Sequence, residues 1–196
     1  MESFDATTLT QQLERRGILL PVIFFETTDS TNTRAFASLA HCSGPVVVVA
    51  RCQTEGRGTK GRKWFSGSRG NLYLSIGFRR SLRPEFLAEK GVALNGVISR
   101  YLSRQYGEKF QSKWPNDILF EGKKLAGLLL ESKILNGKAV RWVVGLGLNV
   151  NGTTRLWPQD VRETAVTLQQ AVGHPLDMAP LAAELIQLVL ESMDPD

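Results

Sequence analysis

The chain has 196 residues, of which 42% are hydrophobic and 22% are charged, values typical of one well-packed globular domain. Its two cysteines, Cys42 and Cys52, do not suggest a disulfide framework, and we expect reduced thiols in a cytoplasmic protein. The sequence shows neither a signal peptide nor an apolar run of membrane-spanning length, so we expect no membrane partner.

The net charge of +5 comes from 24 basic and 19 acidic residues. Residues 51–69 alone contain six basic residues and one acidic residue, a local excess that equals the charge of the whole chain. This concentration favours a local site for an anion over a general basic surface. We therefore do not expect the protein to bind DNA.

Hydrophobic patterns of helical and of alternating period predict an α/β chain without internal repeats or linkers. Helices are predicted at residues 7–16, 31–39, 84–105, 164–171 and 180–192. Strands are predicted at residues 22–25, 46–50, 71–76, 110–113, 118–120, 124–135 and 140–150. Gly107 is expected to end the third helix, and Asn136-Gly137 favours a two-residue turn between the last two strands.

A glycine-rich basic stretch, residues 51–64, directly follows the predicted strand at residues 46–50. Glycines allow successive backbone N–H groups to turn toward an anion, and arginine adds planar donors suited to phosphate and carboxylate. Trp64, which ends the stretch, offers a flat face for a base. The glycine spacing is that of neither a Walker A loop nor a Rossmann fingerprint, and a solvated hairpin tip is the plain alternative.

Three further motifs contain residues suited to a ligand site. They are Lys113-Trp114-Pro115-Asn116-Asp117, Lys123-Lys124-Leu125-Ala126-Gly127 and Gly145-Leu146-Gly147-Leu148-Asn149-Val150-Asn151. Glycine inside a strand often marks a bulge or a close approach of a ligand to the backbone. Taken alone, each motif also has a plain explanation as a turn, a solvated lysine or a strand end. The small polar residues 29–33 are likewise explained by helix N-capping.

Taken together and in this order, these motifs resemble those of the biotin protein ligases, over about residues 30–183. The resemblance implies one catalytic domain across residues 1–196. It implies an α/β (α+β) fold in which helices flank a mixed, largely antiparallel central sheet, as in class II aminoacyl-tRNA synthetases. We expect the N-terminal DNA-binding domain and the small C-terminal domain of other members to be absent.

The implied activity is an ATP-dependent, AMP-forming ligation in two steps. Biotin is first activated by ATP to biotinoyl-5′-AMP, and is then transferred to a lysine of the biotin carboxyl carrier protein of acetyl-CoA carboxylase. ATP and Mg²⁺ are the implied cofactors, and a homodimer formed through sheet edges is a further expectation. Such chemistry needs alignment of two anions and stabilisation of developing charge more than covalent help from the protein.

The resemblance also assigns roles to individual residues. The catalytic residues would be Lys124, Arg57 and Asp117, with Asp117 as a candidate Mg²⁺ ligand. Biotin would be bound by hydroxyl, amide, basic, aromatic and glycine residues: Ser30, Thr31, Gln53, Gly56, Arg57, Tyr73, Lys124, Gly127 and Gly145. ATP would be bound by Gly58, Thr59, Arg62, Trp64, Asn116 and Asn149.

The chain departs from the family pattern at Thr59, where many members have arginine, and we expect this change to weaken retention of the adenylate. The expected lack of the small C-terminal domain bears on the efficiency of the transfer step. Three other readings stay open: a lipoate or octanoyl ligase or transferase of the same fold, a non-catalytic module that binds biotin or biotinoyl-AMP, and a basic nucleic-acid binder. The confinement of the positive charge to one segment argues against the last.

Overall fold

The computed structural model describes residues 4–67 and 69–194, so residues 1–3, Ser68 and residues 195–196 of the predicted domain lie outside it. In the described part of the chain, seven strands form one sheet and six α-helices flank it. The strands are β1 (Val22–Thr28), β2 (Val46–Gln53), β3 (Leu72–Phe78), β4 (Phe110–Lys113), β5 (Asp117–Phe120), β6 (Lys123–Leu135) and β7 (Lys138–Leu148). The helices are α1 (Ala6–Glu14), α2 (Thr31–Ser38), α3 (Pro84–Tyr106), α4 (Gln159–Thr164), α5 (Leu168–Val172) and α6 (Met178–Met193).

The strands lie in the order β1-β2-β3-β7-β6-β5-β4. β1 and β2 pair in parallel, with α2 between them in the chain, while every other neighbouring pair is antiparallel. The predicted fold, a mixed and largely antiparallel sheet flanked by helices, is therefore confirmed. Because β6 and β7 are neighbours, Gly127 of one motif lies opposite Gly147 of another.

The two faces of the sheet differ because successive strand residues point to opposite sides. On β3, Leu72, Leu74 and Ile76 belong to the main hydrophobic core, which α1, α3 and α6 complete. The intervening residues, Tyr73 and Ser75, point to the opposite face, where α2 packs. This second face carries small and polar side chains near α2, and it therefore leaves room for a cavity.

Two predicted chain reversals are confirmed by left-handed backbone torsions. Asn136 has a φ of 49° and Gly137 a φ of 74°, which gives the expected two-residue primed turn between β6 and β7. Gly107 ends α3 with a φ of 72°. No helix within the described ranges is both long and apolar enough to cross a bilayer.

The single helix predicted at residues 164–171 is wrong, since the chain there is divided between α4 and α5. The backbone between the two helices is extended, because Ala165 pairs with Lys124 of β6 and Val166 N–H donates to the Lys124 carbonyl at 3.0 Å. Thr167 then begins α5 with a capping box. Pairing with β6, which the local pattern does not show, overrides the helical periodicity.

Candidate active site

A cavity of about 350 Å³ opens on the polar face of the sheet, between the glycine-rich stretch, the start of α2 and strands β3, β6 and β7. Most of the predicted site residues line this cavity: Ser30, Thr31, Gln53, Arg57, Gly58, Thr59, Arg62, Trp64, Tyr73, Asn116, Lys124, Gly127 and Gly145. Gly56, Asp117 and Asn149 lie outside its wall. The fold thus brings together motifs that are far apart in the sequence.

The glycine-rich stretch forms a short hairpin. Trp64 N–H donates to the Gly56 carbonyl at 2.9 Å, and Gly58 N–H donates to the Arg62 carbonyl at 2.7 Å. Gly58 therefore does not offer its N–H to an anion in this conformation, and the predicted nest of inward amides stays a prediction. Arg62 Nη2 in turn donates to the Thr59 hydroxyl at 2.8 Å. The basic side chains of the hairpin, rather than the Gly58 amide, are what it presents to an anion.

The Trp64 indole lies against the backbone of β6 and β7. A Cβ on Gly147 would come within 2.5 Å of indole Cε2, and one on Gly127 within 2.9 Å of Cζ3, so these two glycines make room for the ring. A Cβ on Gly145 would overlap Asn32 Oδ1 in the same way. The strand glycines therefore mark close approaches, as expected, but the approaching groups are side chains of the protein itself. Contact of Gly127 and Gly145 with biotin stays a prediction.

Lys124 lines the cavity from the start of β6, and neighbouring residues hold it at both ends. Its Nζ lies 2.8 Å from Asp117 Oδ1 and 5.1 Å from the centroid of the Trp64 ring. Asn149, predicted to contact adenine, is buried and donates its amide to the carbonyls of Lys124 at 3.4 Å and Val166 at 3.2 Å. In this structure Asp117 and Asn149 therefore position the lysine from behind the cavity wall.

Asp117 is the candidate Mg²⁺ ligand, and this role stays a prediction. No group of three or more His, Cys, Asp or Glu side chains that could hold a metal ion lies together within residues 4–67 and 69–194. Asp117 Oδ1 already has the ammonium of Lys124 beside it, and a cation there competes with a metal ion for the same oxygen.

Polar side chains at the start of α2 form part of the cavity wall. Ser30 occupies the N-cap position, but its hydroxyl makes no hydrogen bond to the end of the helix, so capping does not use it. Thr31 N–H donates to Gln53 Oε1 at 2.8 Å, and Gln53 Nε2 donates to Ser66 Oγ at 2.8 Å. These two contacts fix the orientation of the Gln53 amide.

Asp29, just before α2, carries a stabilised carboxylate. Burial alone would raise its pKa, but hydrogen bonds to the carboxylate outweigh burial. The donors are Ser30 N–H at 2.6 Å, the Thr28 hydroxyl at 3.0 Å and Arg34 Nε at 2.9 Å. Together they hold the pKa of Asp29 below its ordinary value of 3.8.

Several residues of the site were not predicted. Asn32, Asp160 and Thr164 line the cavity, while Ser75 and Glu131 hydrogen-bond to residues that line it. Their signals in the sequence are weak, because Asn32 belongs to a polar cluster that N-capping explains. Glu131, the acid that directly follows the apolar run of β6, is the clearest of these signals, since a charge there ends the run.

Comparison with known proteins identifies the class. The description of the matching family is the biotin/lipoate A/B protein ligase family; its model matches residues 24–149, and the chain belongs to that family. The chain is 34% identical over 187 residues to the bifunctional ligase/repressor BirA of Salmonella typhimurium, covering 95% of this chain and 56% of the relative. It is 35% identical over 158 residues to the biotin–[acetyl-CoA-carboxylase] ligase of Paracoccus denitrificans, covering 76% of this chain and 63% of the relative. The chain therefore spans little more than half the length of these relatives.

The likeness extends to three dimensions. The structure of the biotin protein ligase from Aquifex aeolicus in complex with biotin and ATP superposes with a TM-score of 0.71 and 31% identity. The superposition covers 89% of this chain and 70% of that chain. The resemblance predicted from the motifs is thus confirmed for the family and for the fold.

Proposed function

We propose that this chain is the catalytic part of a biotin ligase, which activates biotin with ATP to biotinoyl-5′-AMP. It then transfers biotin to a lysine of the biotin carboxyl carrier protein of acetyl-CoA carboxylase. The observation that carries the proposal is the convergence of Lys124 and Arg57 on one cavity that is also walled by Thr31 and Gln53. The polar wall suits an uncharged head group, and the two cations suit a carboxylate and a phosphate.

The activation step brings two anions together, the carboxylate of biotin and the phosphates of ATP. Arg57, Arg62 and Lys124 line the cavity, and their charges offset the repulsion between these anions. The carboxylate oxygen attacks the α-phosphorus, the bond to the pyrophosphate oxygen breaks, and the negative charge leaves with pyrophosphate. Cations that are already in place reduce the reorganisation that this charge movement requires.

Lys124 is the residue that we place at the reacting oxygens. A lysine side chain loses considerable rotamer freedom when it is fixed, so partners that fix it before the ligand binds lower that cost. Asp117 provides such a partner for the ammonium at 2.8 Å, and the Trp64 ring lies on another side at 5.1 Å. The predicted contact of Trp64 with adenine is part of this proposal.

The metal ion, the compartment and the oligomeric state complete the proposed setting of the reaction. Mg²⁺ would arrive with ATP, because it binds phosphate oxygens readily and usually takes only one or two carboxylates from a protein, of which Asp117 would be one. The free thiols of Cys42 and Cys52 support a cytoplasmic enzyme. A homodimer would use the outer strands of the sheet, β1 and β4, since edge strands can pair with another chain.

The test is mass spectrometry of a carrier domain incubated with the chain, biotin and MgATP. The expected result is one added biotin per carrier, together with AMP. Lys124→Ala is expected to lower the rate of AMP formation by roughly 100-fold. Lys123→Ala is the matched control, because this neighbouring lysine is exposed and does not line the cavity. Equal rates for the two variants would remove Lys124 from the mechanism.

The same assay decides between the alternatives. A lipoate or octanoyl ligase would form AMP with those acids and not with biotin. A non-catalytic module would bind biotin in a calorimeter but form no AMP when ATP is added. The biotin ligases among the similar proteins favour biotin as the acid.

A further inference from the structure

Glu131 of β6 contacts two cavity residues through one oxygen atom. Its Oε2 accepts a hydrogen bond from Asn32 Nδ2 at 2.6 Å and another from Arg57 Nη2 at 2.9 Å. The Glu131 side chain is 31% exposed and that of Arg57 39%, so the ion pair itself contributes little to stability. We propose that Glu131 is a positioning residue, which sets the direction of a chain of hydrogen bonds under the cavity and orients Arg57 above it.

The chain of hydrogen bonds runs from Glu131 to the start of α2. Ser75 Oγ lies 2.6 Å from Asn32 Oδ1 and 2.7 Å from Thr31 Oγ1. Ser75 is fully buried, and Asn32 and Thr31 are each at most 4% exposed. At this burial, water does not compete for these groups, and each contact depends on a proton supplied by the protein.

The number of available protons fixes which group donates in each hydrogen bond of this series. An ionised carboxylate only accepts hydrogen bonds, so the Asn32 amide NH₂ group must face Glu131 and donate to it. Asn32 Oδ1 therefore faces Ser75. An amide oxygen also only accepts, so Ser75 must donate its single hydroxyl proton to it. The short contact between Ser75 and Thr31 then requires Thr31 to donate.

The Thr31 hydroxyl therefore has no proton left for another partner. Because its single proton goes to Ser75 at 2.7 Å, the longer 3.1 Å contact with Gln53 Oε1 carries none. Toward the cavity, the Thr31 oxygen can only accept, and a ligand that meets it must donate. Glu131 thus determines whether the Thr31 hydroxyl, which it does not contact, donates or accepts a hydrogen bond in the cavity.

Arg57 is fixed at the other end of the same arrangement. Its Nη1 donates to Thr33 Oγ1 at 2.8 Å while its Nη2 donates to Glu131 Oε2. Two of its five N–H groups are used by the protein, and the others stay available for the cavity. One carboxylate oxygen of Glu131 thus connects Asn32 in the polar wall with Arg57 of the hairpin.

The inference rests on the proposed function, and biotin binding measured by calorimetry without nucleotide tests it. Glu131→Gln keeps an acceptor oxygen for Asn32, whereas Glu131→Ala removes it and frees the Asn32 amide to turn over. Ser75→Ala interrupts the chain and leaves Glu131 in contact with Arg57. The matched control is Ser99→Ala, which removes a buried serine bond of 2.7 Å to the Phe110 carbonyl, away from the cavity.

The expected Kd for biotin is weakened by about fivefold to tenfold in Ser75→Ala and by about tenfold in Glu131→Ala, and stays within about threefold of wild type in Glu131→Gln. Ser99→Ala should bind biotin as wild type does, even though its melting temperature falls. In steady-state AMP formation, Ser75→Ala should raise KM for biotin and leave kcat unchanged, because Lys124 and Arg57 are not disturbed.

Three results would overturn the inference alone while wild type binds biotin. They are a Glu131→Gln variant as weak as Glu131→Ala, normal binding by Ser75→Ala, or equal losses in Ser75→Ala and Ser99→Ala. Failure of the wild-type protein to bind biotin would instead overturn the proposed function, and this inference with it.

Discussion

Gly145 gives the sharpest quantitative test of the site, because Asn32 occupies the space that a side chain would need. A Cβ at this position would overlap Asn32 Oδ1 and lie 3.0 Å from its Cγ, whereas ordinary contact begins at 3.4 Å. Asn32 is buried between two elements, so it would have to recede by about 1 Å. That movement breaks its 2.6 Å bonds to Ser75 and Glu131.

Each of these bonds contributes about 0.5–1.5 kcal/mol net, and more where a buried group is left unpaired. Gly145→Ala is therefore expected to lower the free energy of unfolding by about 2 kcal/mol and Tm by roughly 4–8 °C. It should also weaken biotin binding by about tenfold or more. Calorimetric melting and titration with biotin measure both effects.

Gly44→Ala is the matched control for this substitution, since a Cβ there meets nothing within 4 Å and its φ is not left-handed. Its unfolding free energy should stay within about 0.5 kcal/mol of wild type. If Gly145→Ala melted and bound biotin as Gly44→Ala does, Asn32 would not be held where the structure places it. Glu131 would then not act on Thr31 through Asn32.

Three other substitutions follow from the structure. Thr59→Arg should slow the release of biotinoyl-AMP by about tenfold in a chase experiment, because it adds a guanidinium to the cavity wall; an unchanged or faster release contradicts this. Asp29→Asn should be less stable than wild type in urea at neutral pH. Since the folded-state pKa of Asp29 is lowered, its contribution is present above the unfolded value of 3.8 and is lost as pH falls through the folded pKa, so the difference in stability between the two proteins should shrink as the pH falls below 3.8. Gly107→Ala should lower the unfolding free energy by about 1 kcal/mol without changing activity, because its φ of 72° is strained for alanine.

Much of the fold could be predicted because local signals and tertiary structure agree in most elements. The Asn136-Gly137 turn and the alternation along β3 show this agreement. Residues 164–171 show where it ends: the extended backbone at Ala165 depends on pairing with Lys124, which lies about forty residues earlier in the chain. No local pattern reports such a partner.

For the candidate site, too, some features could be predicted from the sequence and others could not. The cations of the hairpin could be assigned to an anion site from their residue types, whereas Lys124 was assigned only through the resemblance to the biotin protein ligases. The strand glycines correctly indicated close approach but not the approaching group, which for Gly147 is the Trp64 indole. Ser75 gave no signal, because a buried serine on an alternating strand is typical of many sheets and only its partners reveal its role.

The arrangement explains why the site needs both a hairpin and a sheet. The hairpin supplies cationic side chains, while its Gly58 amide is already hydrogen-bonded within the hairpin. The sheet supplies the carboxylates that hold cations in position: Glu131 orients Arg57 of the hairpin, and Asp117 orients Lys124 of β6. Arg57 and Lys124 are thus each paired with a carboxylate carried by a strand, and the partly exposed pairs leave part of each positive charge for the anions that the cavity receives. A site built in this way should lose more from misplacing a carboxylate than from the modest energy of the ion pair itself.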